Sequence, residues 1–327
     1  MTGSRPTDSL VPVTLAIPEN SRSQAIIDGT VKAEGIQIKV IHEFKSGSER
    51  HAGMAQGKYD ASEMGSLAFM RIRAQGGNQL ALPVFWLRGF RQGNVICRAD
   101  SSMKTLSDLK GKSIGVTAFH SSGIVWTRGM LHDDYGVTRD SVNWISAEED
   151  EDPIPTKVKN TVLHKSRNVL WEMLDKGEID AVIFPGNEAY YSFNPGGSLY
   201  QQMQKRGKLR TLQADKEDIA RIYKGTGIYP IIHFVTIKRD LTEKHPWAAK
   251  SLVEAFRAAR RLASKYETVE EKEQSAEEIR FLGRDPYSYE LTAGDRKAFE
   301  VLMGYMIDDG SLKERMPVES LFAPGTI

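Results

Sequence analysis

The chain has almost no cysteine. Cys97 is the single one among 327 residues, which excludes an internal disulfide and a thiolate-built metal cage. It has no charge of one sign to spare: 44 Lys and Arg stand against 43 Asp and Glu. Nothing global therefore draws it to nucleic acid or to an acidic membrane, and any preference for anions must come from a local cluster. No run approaches the roughly 18 apolar residues that cross a bilayer. Neither a Walker-type phosphate loop nor a dinucleotide fingerprint occurs. No histidine–carboxylate spacing argues for a metal. The opening MTGSRPTDSLVPVTLAIPE lacks a secretory pattern, because Pro12, Thr14 and Pro18 break its short apolar part; a cytoplasmic location is expected.

What is present is a globular composition, 40% hydrophobic and 27% charged, in a chain long enough for two cores. Strand-like and helix-like stretches alternate. VPVTLAI, GIQIKVIHEF and the run through YDASEM read as strands, with helices at NSRSQAII, before Gly57 and at GSLAFMRIRAQ. The order recurs with strands KSIGVTAF, SVNWIS and EIDAVIF. The helices of this second set are SSGIVWTRGMLHDDYG, NVLWEMLDKG with Asn168 as its cap, and one after Pro185. Gly57-Lys58-Tyr59-Asp60-Ala61 and Gly177-Glu178-Ile179-Asp180-Ala181 both read as a helix stop, then Asp-Ala, then a strand. Alternation at this spacing means mostly parallel sheets flanked by helices, in two α/β lobes.

Two extended apolar segments, LALPVFWLRGFRQGNVICRAD and GTGIYPIIHFVTIKRD, link the lobes. They place residues 1–92 and 235–327 in the first lobe and 93–234 in the second. PWAAKSLVEAFRAARRLASKY is an amphipathic helix with Leu252, Val253, Phe256, Ala259 and Leu262 on one face. AEEDEDP and EEKEQSAEE read as solvated surface.

Ligands of open α/β sheets sit beyond the carboxyl ends of the strands. The loops there are PENSR, SEMGS, AFHSS and FPGNE. In FHSSG no glycine stands two residues before Ser121 or Ser122, so a hydrolase elbow is poorly supported. A helix start that binds an anion through Ser121 and Ser122 competes with a plain serine cap. Ser62, Glu63 and Ser66 occupy another junction, where Ser66 either meets a ligand or caps its helix. Arg22, at the separate PENSR junction, could meet an anion or be a surface charge. Arg88 and Arg91 could clamp a carboxylate, although their spacing on an extended strand lets only one face it. His120 and His233 are the acid–base candidates, a buried structural role being the alternative for His233.

Nine ordered segments together resemble one family: DGTVKAEGI, YDASEM, ALPVF..RGFR, DLKGKSIGV, VWTRGML, DDYGV, LDKGEIDAVI, TGIYPIIH and HPWAAKSLVEAF. They are similar to the 4,5-dihydroxyphthalate decarboxylase family, which has the two-lobed type II periplasmic-binding-protein fold. The resemblance implies non-oxidative loss of CO₂ from a hydroxylated aromatic acid held between the lobes, with no cofactor. It points to Arg88, Arg91, Trp126, Arg128, Thr226, Tyr229 and His233 as matching positions. The sequence departs from the family at Gln92, where a histidine is expected, and at Phe119 to Ser122, where Tyr-Gln-Met-Thr is. The segment EDEDPIPTKVKNTVLHKS also differs. These departures bear on the substrate. The alternative function is a solute-binding protein or sensor for an aromatic carboxylate. A pyrimidine synthase on this fold is set aside for want of its cysteine-rich iron segment. Homo-oligomerisation is left open.

Overall fold

A computed structural model describes residues 10–44, 47–147, 161–164, 167–184, 203–212 and 214–327. The expected helix after Pro185, the loop FPGNE beyond Phe184 and the acidic stretch after Ala147 lie outside these residues.

The chain opens with β1 (Val11–Ala16), α1 (Gln24–Ile27), β2 (Ile36–Ile41), α2 (Gly47–Ala55), β3 (Ala61–Gly65), α3 (Ser66–Ala74) and β4 (Gln79–Arg88). It continues through β5 (Val95–Arg98), β6 (Ser113–Val116), α4 (Ser122–Tyr135), β7 (Asn143–Ala147), β8 (Thr161–His164), α5 (Arg167–Lys176), β9 (Ala181–Ile183), β10 (Leu209–Thr211) and α6 (Lys216–Thr226). It closes with β11 (Ile231–Lys238), α7 (Arg239–Lys244), α8 (Ala248–Leu262), α9 (Val269–Leu282), α10 (Ala293–Asp308) and α11 (Val318–Leu321).

One unit comprises Met1–Arg88, Ile231–Phe299 and Met316–Ile327. Its sheet has the order β2-β1-β3-β11-β4. β1 pairs parallel with β2 and β3, while β11 runs antiparallel to β3 and β4. Four strands thus share a direction and the returning strand alone is reversed. Val13 and Leu15 alternate into the core, as a half-buried strand requires. There they meet Leu252, Val253, Phe256 and Ala259 of α8. Full burial of each large side chain on that face contributes roughly 1.5–3 kcal/mol. Leu262 packs at the rim, only partly buried.

The other unit comprises Gly89–Pro230 and Glu300–Arg315. Its sheet has the order β10-β5-β9-β6-β7-β8. β6 pairs parallel with β7 and β9, and β7 with β8; β5 runs antiparallel to β9 and β10. Here too one strand is reversed, and it is the strand that enters the unit. The two extended segments of the sequence therefore supply the reversed strand of each sheet.

The boundaries fall at residues 88 and 230, and Glu300–Arg315 groups with the second unit, whereas the sequence assigns all of 235–327 to the first lobe. Long-range side-chain pairing explains the difference. Asp309 takes ion pairs from Arg128 and Arg139, and the Tyr305 hydroxyl donates to Asp133. Asn168 lies inside the first turn of α5 and is not its cap.

The repeated pentapeptide has a shared geometry. Gly57 and Gly177 both adopt φ of 76° after a helix, the left-handed conformation that glycine reaches without strain. Asp60 then accepts a hydrogen bond from the Thr14 N–H of β1 at 2.9 Å, while its own N–H donates to the Thr14 carbonyl. Asp180 does the same with Ser113 of β6, also at 2.9 Å. A lysine stands on the second carboxylate oxygen of each: Lys238 on Asp60, Lys112 on Asp180. Each aspartate thus locks its incoming strand onto the first strand of its sheet. Asp60→Ala and Asp180→Ala are each expected to lower unfolding free energy by about 1–3 kcal/mol, the cost of stranding a backbone donor, as read from urea unfolding.

Candidate functional site

β3 and β4 run in one direction, and β11 runs back between them. The register sets His233 opposite Gly65 of β3 and Leu87 of β4, with Ile231 opposite Arg88. His233 thus stands at the carboxyl edge of the first unit's sheet, the edge at which ligands bind in open α/β sheets.

Beneath it lies Glu63, a carboxylate with no solvent exposure. Arg50 of α2 donates to Glu63 Oε2 through Nε at 2.8 Å and also through Nη2. His233 Nδ1 contacts Glu63 Oε1. His51, next to Arg50, brings its Nε2 to 3.9 Å from Glu63 Oε2 and accepts the Gly65 N–H at 3.3 Å. The two imidazole rings meet edge to face, 5.6 Å apart. His51 and His233 keep 22% and 17% of their side-chain surface exposed. A solvent molecule or ligand can therefore reach the imidazoles but not the carboxylate.

Burial alone would raise the Glu63 pKa. The Arg50 guanidinium, and after it His233, reverse this and hold the carboxyl well below its ordinary range. Glu63 is therefore a fixed negative charge. Burial pushes His51 the other way, below the ordinary range of an imidazole; Glu63 opposes this, while His233 and Arg50 add to it.

His51, Glu63 and His233 offer three metal-type donors within 4.8 Å of one another, a set the sequence did not reveal. Two imidazoles and a carboxylate suit a divalent transition metal. Both Glu63 oxygens are already engaged, however, and Arg50 has matched its charge. The group is complete as a hydrogen-bonded acid–base cluster.

The other expected site residues divide by their partners. Arg22 retains a guanidinium that is not ion-paired: Nη2 donates to the Trp86 carbonyl at 2.7 Å, the group lies 3.9 Å over the Tyr287 ring, and Nε has no acceptor. Among the described residues no carboxylate stands within ion-pair distance of it. Ser66 opens α3 with a buried hydroxyl that has no partner. Both keep the binding role open.

The structure gives the remainder other duties. Glu63, expected to bind a ligand, is sealed between Arg50 and His233. Ser62 donates to the Glu63 carbonyl, and its own carbonyl accepts from Thr236. Arg88 forms a buried ion pair with Asp295 at 2.5 Å and donates to the Pro286 carbonyl. Arg91 donates to Thr127 Oγ1 and the Phe184 carbonyl.

Ser121 caps α4, accepting the Ile124 N–H; Ser122 is the buried first residue of that helix. His120 stacks edge-on against Phe119 at 5.1 Å. Arg128 pairs with Asp309, donates to the Phe119 carbonyl and lies over the Phe119 ring. Burial brings its pKa down to about 10, with Asp309 opposing. Trp126 packs on Tyr305 and Tyr229 on Phe90. Thr226 bonds within the last turn of α6. The Ser121 hydroxyl therefore acts as the cap of α4.

His51 and Arg50 escaped the sequence reading. The only local signal is a histidine beside an arginine in a polar helix, SERHAGMA, which resembles any solvated face.

A family model described as the ABC transporter phosphonate periplasmic substrate-binding protein matches residues 33–212. A 4,5-dihydroxyphthalate decarboxylase of Comamonas testosteroni is 28% identical over 272 residues, covering 78% of this chain and 76% of that protein. Another, of Pseudomonas putida, is 30% identical over 189 residues, covering 53% of this chain and 70% of that protein. The chain belongs to the 4,5-dihydroxyphthalate decarboxylase family. Its fold is the two-lobed type II periplasmic-binding-protein fold. The periplasmic aliphatic sulphonate binding protein of Escherichia coli superposes with a TM-score of 0.59 at 12% identity, covering 96% of this chain and 92% of that one. A putative periplasmic sulfonate-binding protein of Methylobacillus flagellatus gives 0.62 at 16%, covering 98% and 93%.

Membership of the family sharpens the question of the arginines. If Arg88 is a structural ion pair, Arg88→Met strips buried Asp295 of one of its two cations and leaves it Arg284 and Thr292. It should then cost up to about 3–5 kcal/mol of stability, as read from denaturant midpoints. A ligand clamp would instead lose affinity at unchanged stability.

Proposed function

We propose that this protein removes CO₂, without oxidation, from a hydroxylated aromatic carboxylate, and that His233 supplies the proton. The observation that carries the reading is His233 at the carboxyl edge of the sheet, its Nδ1 on the buried carboxylate of Glu63. The decarboxylase relatives supply the reaction class.

The chemistry reverses an electrophilic substitution. A ring hydroxyl pushes electron density to the carbon that bears the carboxylate. That carbon takes a proton, its bond to the carboxylate breaks, and the electron pair returns to the ring as CO₂ departs. The sum is ArCOO⁻ + H⁺ → ArH + CO₂. The protein must position an acid and stabilise its charged form. Glu63 serves His233 through geometry: its contact with Nδ1 fixes which nitrogen faces outward. Arg50 keeps Glu63 ionised and in place. Arg22, a cation without a carboxylate partner, is the group for a substrate acid.

The second reading is a solute-binding protein for the same acids, favoured by the substrate-binding family model that matches residues 33–212. CO₂ release separates the two. Purified protein is screened against phthalates and hydroxybenzoates by thermal shift, and each binder is assayed for CO₂. Release catalysed by the wild type supports the decarboxylase, whereas tight binding with no release by any acid favours the carrier.

His233→Gln should reduce turnover by about 10²–10⁴, the worth of a positioned acid, with little change in affinity. His120→Gln should leave turnover near the parent's. Glu63→Gln removes the carboxylate that holds His233 Nδ1 and should lower kcat more than it changes KM. Full kcat in the folded variant refutes the Glu63 assignment.

A further inference from the structure

His51 is the close neighbour of His233, their rings 5.6 Å apart. His51 is partly open to solvent and sits on the same carboxylate. Its Nε2 accepts the Gly65 N–H, so the ring proton of the neutral imidazole is on Nδ1 and the lone pair of Nε2 faces the start of α3. At that start Gly65 is the residue before the helix, and Ser66 carries a buried hydroxyl that has found no acceptor. An acceptor nitrogen and a backbone N–H therefore meet beside the acid candidate, and the next residue in the chain carries an unmatched hydroxyl. A neutral base next to donors is what a phenolic hydroxyl needs when it loses its proton.

We propose that His51, Gly65 and Ser66 form the subsite for the substrate's ring hydroxyl, with His51 as the base that takes its proton. The inference rests on the decarboxylase reading. The hydroxyl proton passes to His51 Nε2 as the oxygen pushes its electrons into the ring. The Gly65 N–H, released from the imidazole, and the Ser66 hydroxyl then donate to that oxygen. The ring carbon bearing the carboxylate takes its proton from the His233 imidazolium. When the carbon–carboxylate bond breaks, its electron pair restores the aromatic ring, the oxygen recovers the proton from His51, and CO₂ leaves. His51 ends as it began, and His233 is recharged from solvent, so one proton is consumed per CO₂. A neutral His51 suits this role: burial first, then His233 and Arg50, bias it against carrying a charge of its own, with Glu63 opposing.

The test pairs 4,5-dihydroxyphthalate with 4,5-dimethoxyphthalate, which has no proton to give, and uses unsubstituted phthalate as a non-reacting ligand. In the wild type the dihydroxy acid should release CO₂ and the dimethoxy acid should not. His51→Ala and His51→Gln should lower kcat for the dihydroxy acid by about 10²–10⁴ while calorimetric phthalate affinity stays within a few-fold. Ser66→Ala should lower kcat by a smaller factor, about 10-fold. By calorimetry the wild type should bind the dihydroxy acid tighter than phthalate, and His51→Ala should erase that preference.

Wild-type CO₂ release with full kcat in folded His51→Ala and Ser66→Ala overturns the subsite and leaves the decarboxylase reading standing. If the wild type releases no CO₂, the function reading fails. The subsite then stands or falls on whether the calorimetric preference for ring hydroxyls is lost in His51→Ala. A stoichiometric zinc, manganese or iron in the purified protein, whose chelation abolishes that preference, makes His51 a metal ligand and overturns its role as base.

Discussion

A single buried charge organises the chemistry of the first unit. Glu63 lies on a central strand with no access to water, where a lone carboxylate would be intolerable. It is kept ionised because Arg50 reaches it from α2 and His233 from the neighbouring strand β11. The requirement works in both directions. The carboxylate needs its cations, so the helix and the returning strand are held where they can supply them. The imidazoles that result are fixed at the carboxyl edge with an exposed side, which is how an acid–base group becomes usable.

The backbone provides that edge through a device used twice. Each sheet carries one reversed strand, and each has an aspartate that pins a strand through backbone hydrogen bonds just after a left-handed glycine. Without the reversed β11, His233 would enter the sheet from its opposite end, far from Gly65 and α3. The fold that solute-binding relatives share thus places a histidine of one segment beside a glutamate that precedes it by 170 residues.

The arginines carry a separate lesson about charge. Arg88 reads as an anion clamp from its place in the chain and Arg128 matches a position of the family, yet each is buried on an aspartate from α10 or just beyond it, Asp295 and Asp309. Removing a guanidinium from water costs more than most single ligands return, so a buried arginine is matched within the protein. Arg22 differs because its close contacts are a carbonyl and a tyrosine ring, and the carboxylate that acts on it, Glu278, stands beyond ion-pair distance.

Much of the fold was legible in the sequence. The strand and helix order came from hydrophobic periodicity, the glycine stops from chain chirality, and the pentapeptide repeat from local chemistry that recurs with the same geometry. Local rules suffice there, because each element's period and its stop lie within a dozen residues. His233 could be named as a candidate for the same reason: it sits in a strand whose apolar neighbours mark its place. The sequence could not decide which polar residues meet. Arg50 with Glu63, Arg88 with Asp295 and Arg128 with Asp309 are separated by 13, 207 and 181 residues. His51, in a helix that reads as ordinary surface, gains its chemistry only when α2 folds over β3. A charge's role is set by the partner that compensates it, and the chain brings that partner near only in three dimensions.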